Sequence, residues 1–152
     1  MNNSEKAVEV LNDLVKIHND RIQGYERATV EVEDADLKQL FTSFIGDSHK
    51  FKLALATEVQ TFHKDIENTT SSSGDIHRTW LNVKAFFSGH TTKSVLEECE
   101  FGEDATQKAY KSAIEDEAVP AYIKDILTEQ EVSLKAAHDK VKALRDAERQ
   151  AS

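Results

Sequence analysis

The chain has 152 residues, 31% of them charged, with one proline, one cysteine and a formal net charge of −9. That length is enough for one domain with a real core. The acidic balance argues against a nucleic-acid or anionic-membrane surface, since both need a basic patch, and a single cysteine excludes an internal disulfide framework. No segment is apolar for long enough to span a membrane, and the opening "MNNSEKAVEV" has neither the basic end nor the apolar run of a signal peptide. These features together lead us to expect a cytoplasmic protein.

The pattern predicts a first helix over about residues 5–33. Its inward stripe is Leu11, Leu14 or Val15, His18, Ile22, Tyr25, Thr29 and Val32, at steps of three and four. "EDADLK" interrupts it, with Asp34 or Asp36 able to cap the next helix. This second helix is expected over about 37–66, with the stripe Leu37, Leu40, Phe41, Phe44, Ser48, Phe51, Leu55, Val59 or Glu58, and Phe62. "NTTSSSGD" is small and polar and reads as a loop. Asp75 can cap a short helix, about 76–88, that stops at Gly89. "GHTTK" breaks the chain again, and Thr91 or Thr92 can cap a third long helix over about 94–117. Pro120 suits the first turn of a fourth, about 120–148, whose stripe is Ile123, Ile126, Leu127, Gln130, Leu134, Ala137, Val141 and Leu144. The last few residues are polar and are expected to fray.

Four long amphipathic helices and a short one imply an all-α four-helix bundle formed by one domain over residues 1–152. Short links make helices 1 and 2, and helices 3 and 4, antiparallel neighbours. The long link carrying the short helix makes helices 2 and 3 parallel, which is the ferritin-like arrangement with one crossover.

Each long stripe has one polar interruption near its middle: His18, Ser48, Glu103 and Gln130. Glu103 shares its face with Cys99, Thr106, Tyr110 and Ala113, where a carboxylate is costly unless it is paired, protonated or metal-bound. His18 precedes Tyr25 by seven residues, and Glu103 precedes Tyr110 by seven. The expectation is one buried polar layer of His18, Ser48, Glu103 and Gln130, with Tyr25 and Tyr110 nearby. In that layer His18, Ser48 and Gln130 hydrogen-bond Glu103, and His18 supplies a positive charge.

A di-iron carboxylate bundle needs a Glu from each of two helices and Glu-x-x-His from each of the other two. Of the four carboxylates only Glu103 is present, and the second and fourth helices offer Ser48 with Phe51 and Gln130 with Ser133 instead. The count argues against a dinuclear iron centre. It leaves a single transition metal held by His18 and Glu103 as the alternative to a hydrogen-bonded network that sets helix register. His49 and His63 read as solvated, and His138 as a flanking residue bonded to a neighbour. Trp80 and His77 read as packing the short helix onto the bundle, and Cys99 as a small core residue. The run "EDE" over 115–117 reads as a solvated helix end. No phosphate-binding or dinucleotide fingerprint occurs among the glycines.

"LNDLVKIHNDRIQGYERA", "HRTWLNVKAFF", "LEECEFGEDATQKAY" and "AAHDKVKALRD" together resemble a bacterial family of small ferritin-like four-helix proteins catalogued as a domain of unknown function. The resemblance runs from about Ser4 to Asp146. One departure is Phe101, where the family pattern has Arg. The resemblance implies a bacterial, cytoplasmic, ferritin-like bundle and brings no activity with it, so no catalytic residue is assigned. The functional expectation is a non-catalytic interaction or stress-associated protein, with a protein partner or a homodimer. A third reading is a helical scaffold that dimerises, with Trp80, Phe86 and Phe87 adding an apolar patch where the short helix does not bury them. The competing expectation is an iron- or manganese-binding oxidoreductase or storage relative with an atypical site at His18 and Glu103.

Overall fold

The computed structural model describes residues 2–64, 79–81, 83 and 91–151, and every regular element among them is helical. The four long helices are α1 (Asn3–Glu31), α2 (Ala35–Thr61), α3 (Thr92–Glu115) and α4 (Ala121–Ala151). Residues 79–81 and 83, in the link between α2 and α3, are also helical. The rest of the expected short helix, with His77, Phe86 and Phe87, lies outside the described residues. None of the described helices is long and apolar enough to cross a membrane.

Local chemistry sets the ends. Asn2 caps α1 by accepting from the Glu5 amide at 2.8 Å, so the helix starts two residues before the expected Glu5. Asp34 caps α2 through the Leu37 amide, and Thr91 caps α3 through the Ser94 amide, each one of the two residues expected. α2 stops short of the expected Ile66 because His63 takes a left-handed backbone, φ 58°, just past the last turn. The Pro120 carbonyl accepts from the amides of Ile123 and Lys124, which puts the proline just outside α4 and not within its first turn. α4 continues through Ala151 instead of fraying after Glu148.

Cross-helix bonds fix the directions. Arg21 of α1 meets Phe44 and Ser48 of α2, while Lys38 reaches Thr29 and Lys52 reaches Asn19, so α1 and α2 are antiparallel. His18 meets Tyr110 and Arg21 meets Glu103, so α1 and α3 are antiparallel. Tyr110–Gln130, Glu100–His138 and Glu97–Arg149 make α3 and α4 antiparallel. Hence α2 and α3 run parallel, as the length of the link allows. Each helix packs on two others in the cyclic order α1, α2, α4, α3.

The buried apolar residues form two clusters. One contains Tyr25, Phe41, Phe44, Trp80, Leu96, Cys99 and Val141. The other contains Leu11, Val15, Leu55, Tyr110, Leu127 and Leu134. Full burial of such a side chain is worth about 1.5–3 kcal/mol, which supplies the drive for packing. Between the clusters lie the buried polar side chains His18, Arg21, Ser48, Glu103 and Gln130.

Candidate functional site

The structure brings together the four residues expected in the polar layer, Tyr110 expected beside them, and one residue not expected there, Arg21. His18 and Arg21 are one turn apart on α1, Ser48 comes from α2, Glu103 and Tyr110 from α3, and Gln130 from α4. All six are buried, and Arg21 is only 1% exposed.

Glu103 is paired with Arg21, not with His18. The guanidinium grips the carboxylate with two bonds, Nε to Oε1 at 2.6 Å and Nη2 to Oε2 at 3.0 Å. Its third nitrogen, Nη1, donates to the Phe44 carbonyl at 3.1 Å and to Ser48 Oγ at 2.7 Å. The rings of Tyr25 and Phe44 lie 5.2 and 5.3 Å from the guanidinium carbon, at cation–π range. Burial alone works to discharge Arg21, but the charge and hydrogen bonds of Glu103 outweigh it and hold the pKa above its ordinary value. The expected role of His18 as counter-cation is therefore corrected. Burial first, and then the positive charges of Arg21 and Lys52, pull the imidazole down to about 3, so it is neutral.

The neutral His18 joins the second half of the layer. Nδ1 lies 3.0 Å from Ser48 Oγ and Nε2 lies 2.7 Å from the Tyr110 hydroxyl. Tyr110 donates to Gln130 Oε1 at 2.7 Å, and Gln130 Nε2 donates to the Phe51 carbonyl at 3.3 Å. The ends of the chain fix its direction. A carbonyl can only accept, so it holds the amide nitrogen of Gln130 and turns Oε1 toward Tyr110. Tyr110 spends its one hydrogen there and must accept from His18 Nε2–H. His18 Nδ1 is then an acceptor, filled by the Ser48 hydroxyl, whose oxygen accepts from Arg21. Gln130 thus bonds Tyr110 and Phe51, not Glu103 as expected.

The two seven-residue spacings now have a physical meaning. α1 and α3 are antiparallel, so each tyrosine falls opposite the polar residue on the other helix. Tyr110 bonds His18, and Tyr25 lies within the field of Glu103. Burial and then the Glu103 charge raise the Tyr25 hydroxyl well above its ordinary value. The Cys99 thiol is raised well above its own by burial and then Glu103, so it stays protonated in the core. Burial also pushes the Tyr110 hydroxyl up.

Above the layer, the Trp80 indole lies between α1 and α3, fully buried, with Nε1 donating to Thr106 Oγ1 at 3.2 Å. It fits because two glycines face it. A Cβ at Gly24 would sit 2.5 Å from its ring and one at Gly102 would sit 2.7 Å away. The expectation that Trp80 packs the link onto the long helices holds, and the expectation that it offers apolar surface to a dimer is corrected, because its ring is wholly enclosed. Elsewhere His49 and His63 are exposed, and Cys99 is buried. His138 is half-buried with Nε2 3.2 Å from Glu100.

The layer does not fit a di-iron centre. Its one carboxylate gives both oxygens to Arg21, and both nitrogens of His18 are engaged by hydroxyl groups. Among the described residues, no group of three or more His, Cys, Asp or Glu side chains is arranged to hold a metal ion.

No curated protein matches the chain. A family model described as "Domain of unknown function (DUF2383)" matches residues 6–116, which takes in α1 from its second turn, α2, α3 and every residue of the polar layer except Gln130. The chain belongs to this family of unknown function.

Proposed function

We propose that this protein is a ferritin-like four-helix bundle with a non-catalytic role, an interaction or stress-associated protein of the bacterial cytoplasm that works through a protein partner or a second copy of itself. The observation that carries this reading is the closed hydrogen-bond chain through the centre of the helices. From Arg21 to the Phe51 carbonyl each side-chain nitrogen and oxygen has a hydrogen-bond partner, and the guanidinium and carboxylate are each other's counter-charge. A catalytic or metal centre keeps reactive atoms open to a substrate or ligand. Here the carboxylate and the imidazole that would serve are committed to their neighbours. The antiparallel and parallel directions of the helices, with the one long link between α2 and α3, support the ferritin-like arrangement.

Elemental analysis of protein purified without a tag or chelator, then incubated with ferrous iron or zinc, tests the reading. The expected result is no stoichiometric metal and no redox activity. About one transition metal per chain, with turnover of an oxidant, would overturn it.

A further inference from the structure

The groups around Arg21 make up a complete receptor for a planar cation. Both oxygens of Glu103 accept parallel N–H bonds from one edge of the guanidinium. The Phe44 carbonyl and Ser48 Oγ take the remaining nitrogen. Two aromatic rings, Tyr25 and Phe44, flank it. Four N–H bonds from three nitrogens at fixed angles suit a guanidinium, whose donors form a rigid planar fork. They suit an ammonium poorly, because its donors diverge from one point. They suit a divalent metal poorly as well, because one carboxylate, one carbonyl and one hydroxyl supply too little negative charge and too few ligands.

We infer that the Glu103, Ser48 and Phe44 oxygens with the Tyr25 ring form a guanidinium-selective cation site, occupied in cis by Arg21, in the position where a ferritin-like bundle would carry its metal. The inference rests on the reading of a layer that needs no metal. It goes further, because it states which cation the layer selects. The one carboxylate that bonds the guanidinium balances its one positive charge.

Chemical rescue tests it. Arg21→Ala removes the cation and leaves Glu103 buried and unpaired, which raises the unfolding equilibrium constant by about 10²–10⁴-fold. Ethylguanidinium should bind the vacated site and lower that constant by the factor 1 + [L]/Kd, about tenfold when its concentration is ten times Kd. At about 20 mM the general denaturing action of a guanidinium salt changes the constant by less than about 1.3-fold, so rescue is distinguishable from it. Ammonium, sodium, zinc and ferrous ions should give no rescue. Rescue by zinc or ferrous iron equal to that by ethylguanidinium would overturn the inference, as would no rescue by ethylguanidinium at all.

Should Arg21→Ala stay unfolded, rescue reads as folding induced by ethylguanidinium, followed by circular dichroism. Arg21→Lys gives a second test. It keeps the charge and loses the fork, and should raise the unfolding constant on the order of tenfold or more. Equality with wild type would contradict guanidinium selectivity. The metal content of the wild-type protein bears on the functional reading alone, and the rescue series bears on the cation site alone.

Discussion

Acid should weaken this protein through His18, by an amount set by its environment. The imidazole is enclosed by the four helices. Arg21 on its own helix and Lys52 on α2 act on it with positive charge, while Ser48, Tyr110 and Gln130 form the hydrogen-bond chain through it. Its folded pKa is about 3 against 6.5 when unfolded. Above pH 6.5 the ring is neutral in both states and pH has no effect through it. Between 6.5 and about 3 the unfolded chain binds a proton that the folded chain refuses, so stability falls as pH falls. The slope is about 1.4 kcal/mol per pH unit, and the full loss is on the order of 5 kcal/mol by pH 3. That is comparable to the entire stability of many small domains. Urea unfolding of the wild type and His18→Gln at pH 7, 6, 5 and 4 isolates the effect, because an amide can give and take the same two hydrogen bonds without titrating and the carboxylates are common to both. The stability difference between the two should be flat above pH 6.5 and then move against the wild type by about 1.4 kcal/mol for each unit below it. Parallel curves down to pH 4 would refute the buried neutral imidazole.

The same packing sets three other expectations. Tyr110→Phe leaves His18 Nε2–H and Gln130 Oε1 without partners, at a cost of about 1–3 kcal/mol for each group left bare, measurable by urea unfolding. Gly24→Ala drives a methyl group into the Trp80 ring, so the indole must move, at a cost of about 1–3 kcal/mol. The chain has a single tryptophan, so a red shift of its fluorescence in the folded variant reports that movement directly. Cys99, buried and held as the thiol, should react with a thiol reagent only as fast as the core opens, and labelling should accelerate with urea in step with unfolding.

Much of this is legible in the residues. Apolar periodicity places the four long helices to within a few residues, and the length of the α2–α3 link gives the parallel direction that the cross-helix bonds display. The polar interruptions His18, Ser48, Glu103 and Gln130 locate the central layer. The wiring inside it is not legible from those interruptions, because Arg21 is not among them. A lone arginine in a helix usually lies on the surface, and Ile22 beside it fills the apolar stripe. The signal that could have found it is positional: Arg21 comes three residues after His18 and four before Tyr25, so it shares their face. A buried carboxylate demands a cation, and Arg21 is the one on that face. Without it, His18 has to be given the positive charge that its own desolvation forbids. The early stop of α2 is hidden for another reason, since a left-handed histidine leaves no mark in composition.

The most direct test of the Arg21–Glu103 pair is a double-mutant cycle with Arg21→Met and Glu103→Leu, measured by urea unfolding. Each single change strands a buried charge and should cost about 3–5 kcal/mol, while the double change leaves an apolar pair and should cost less than the sum by at least about 2 kcal/mol. Additivity to within about 0.5 kcal/mol would contradict the pairing and leave Glu103 in need of another partner.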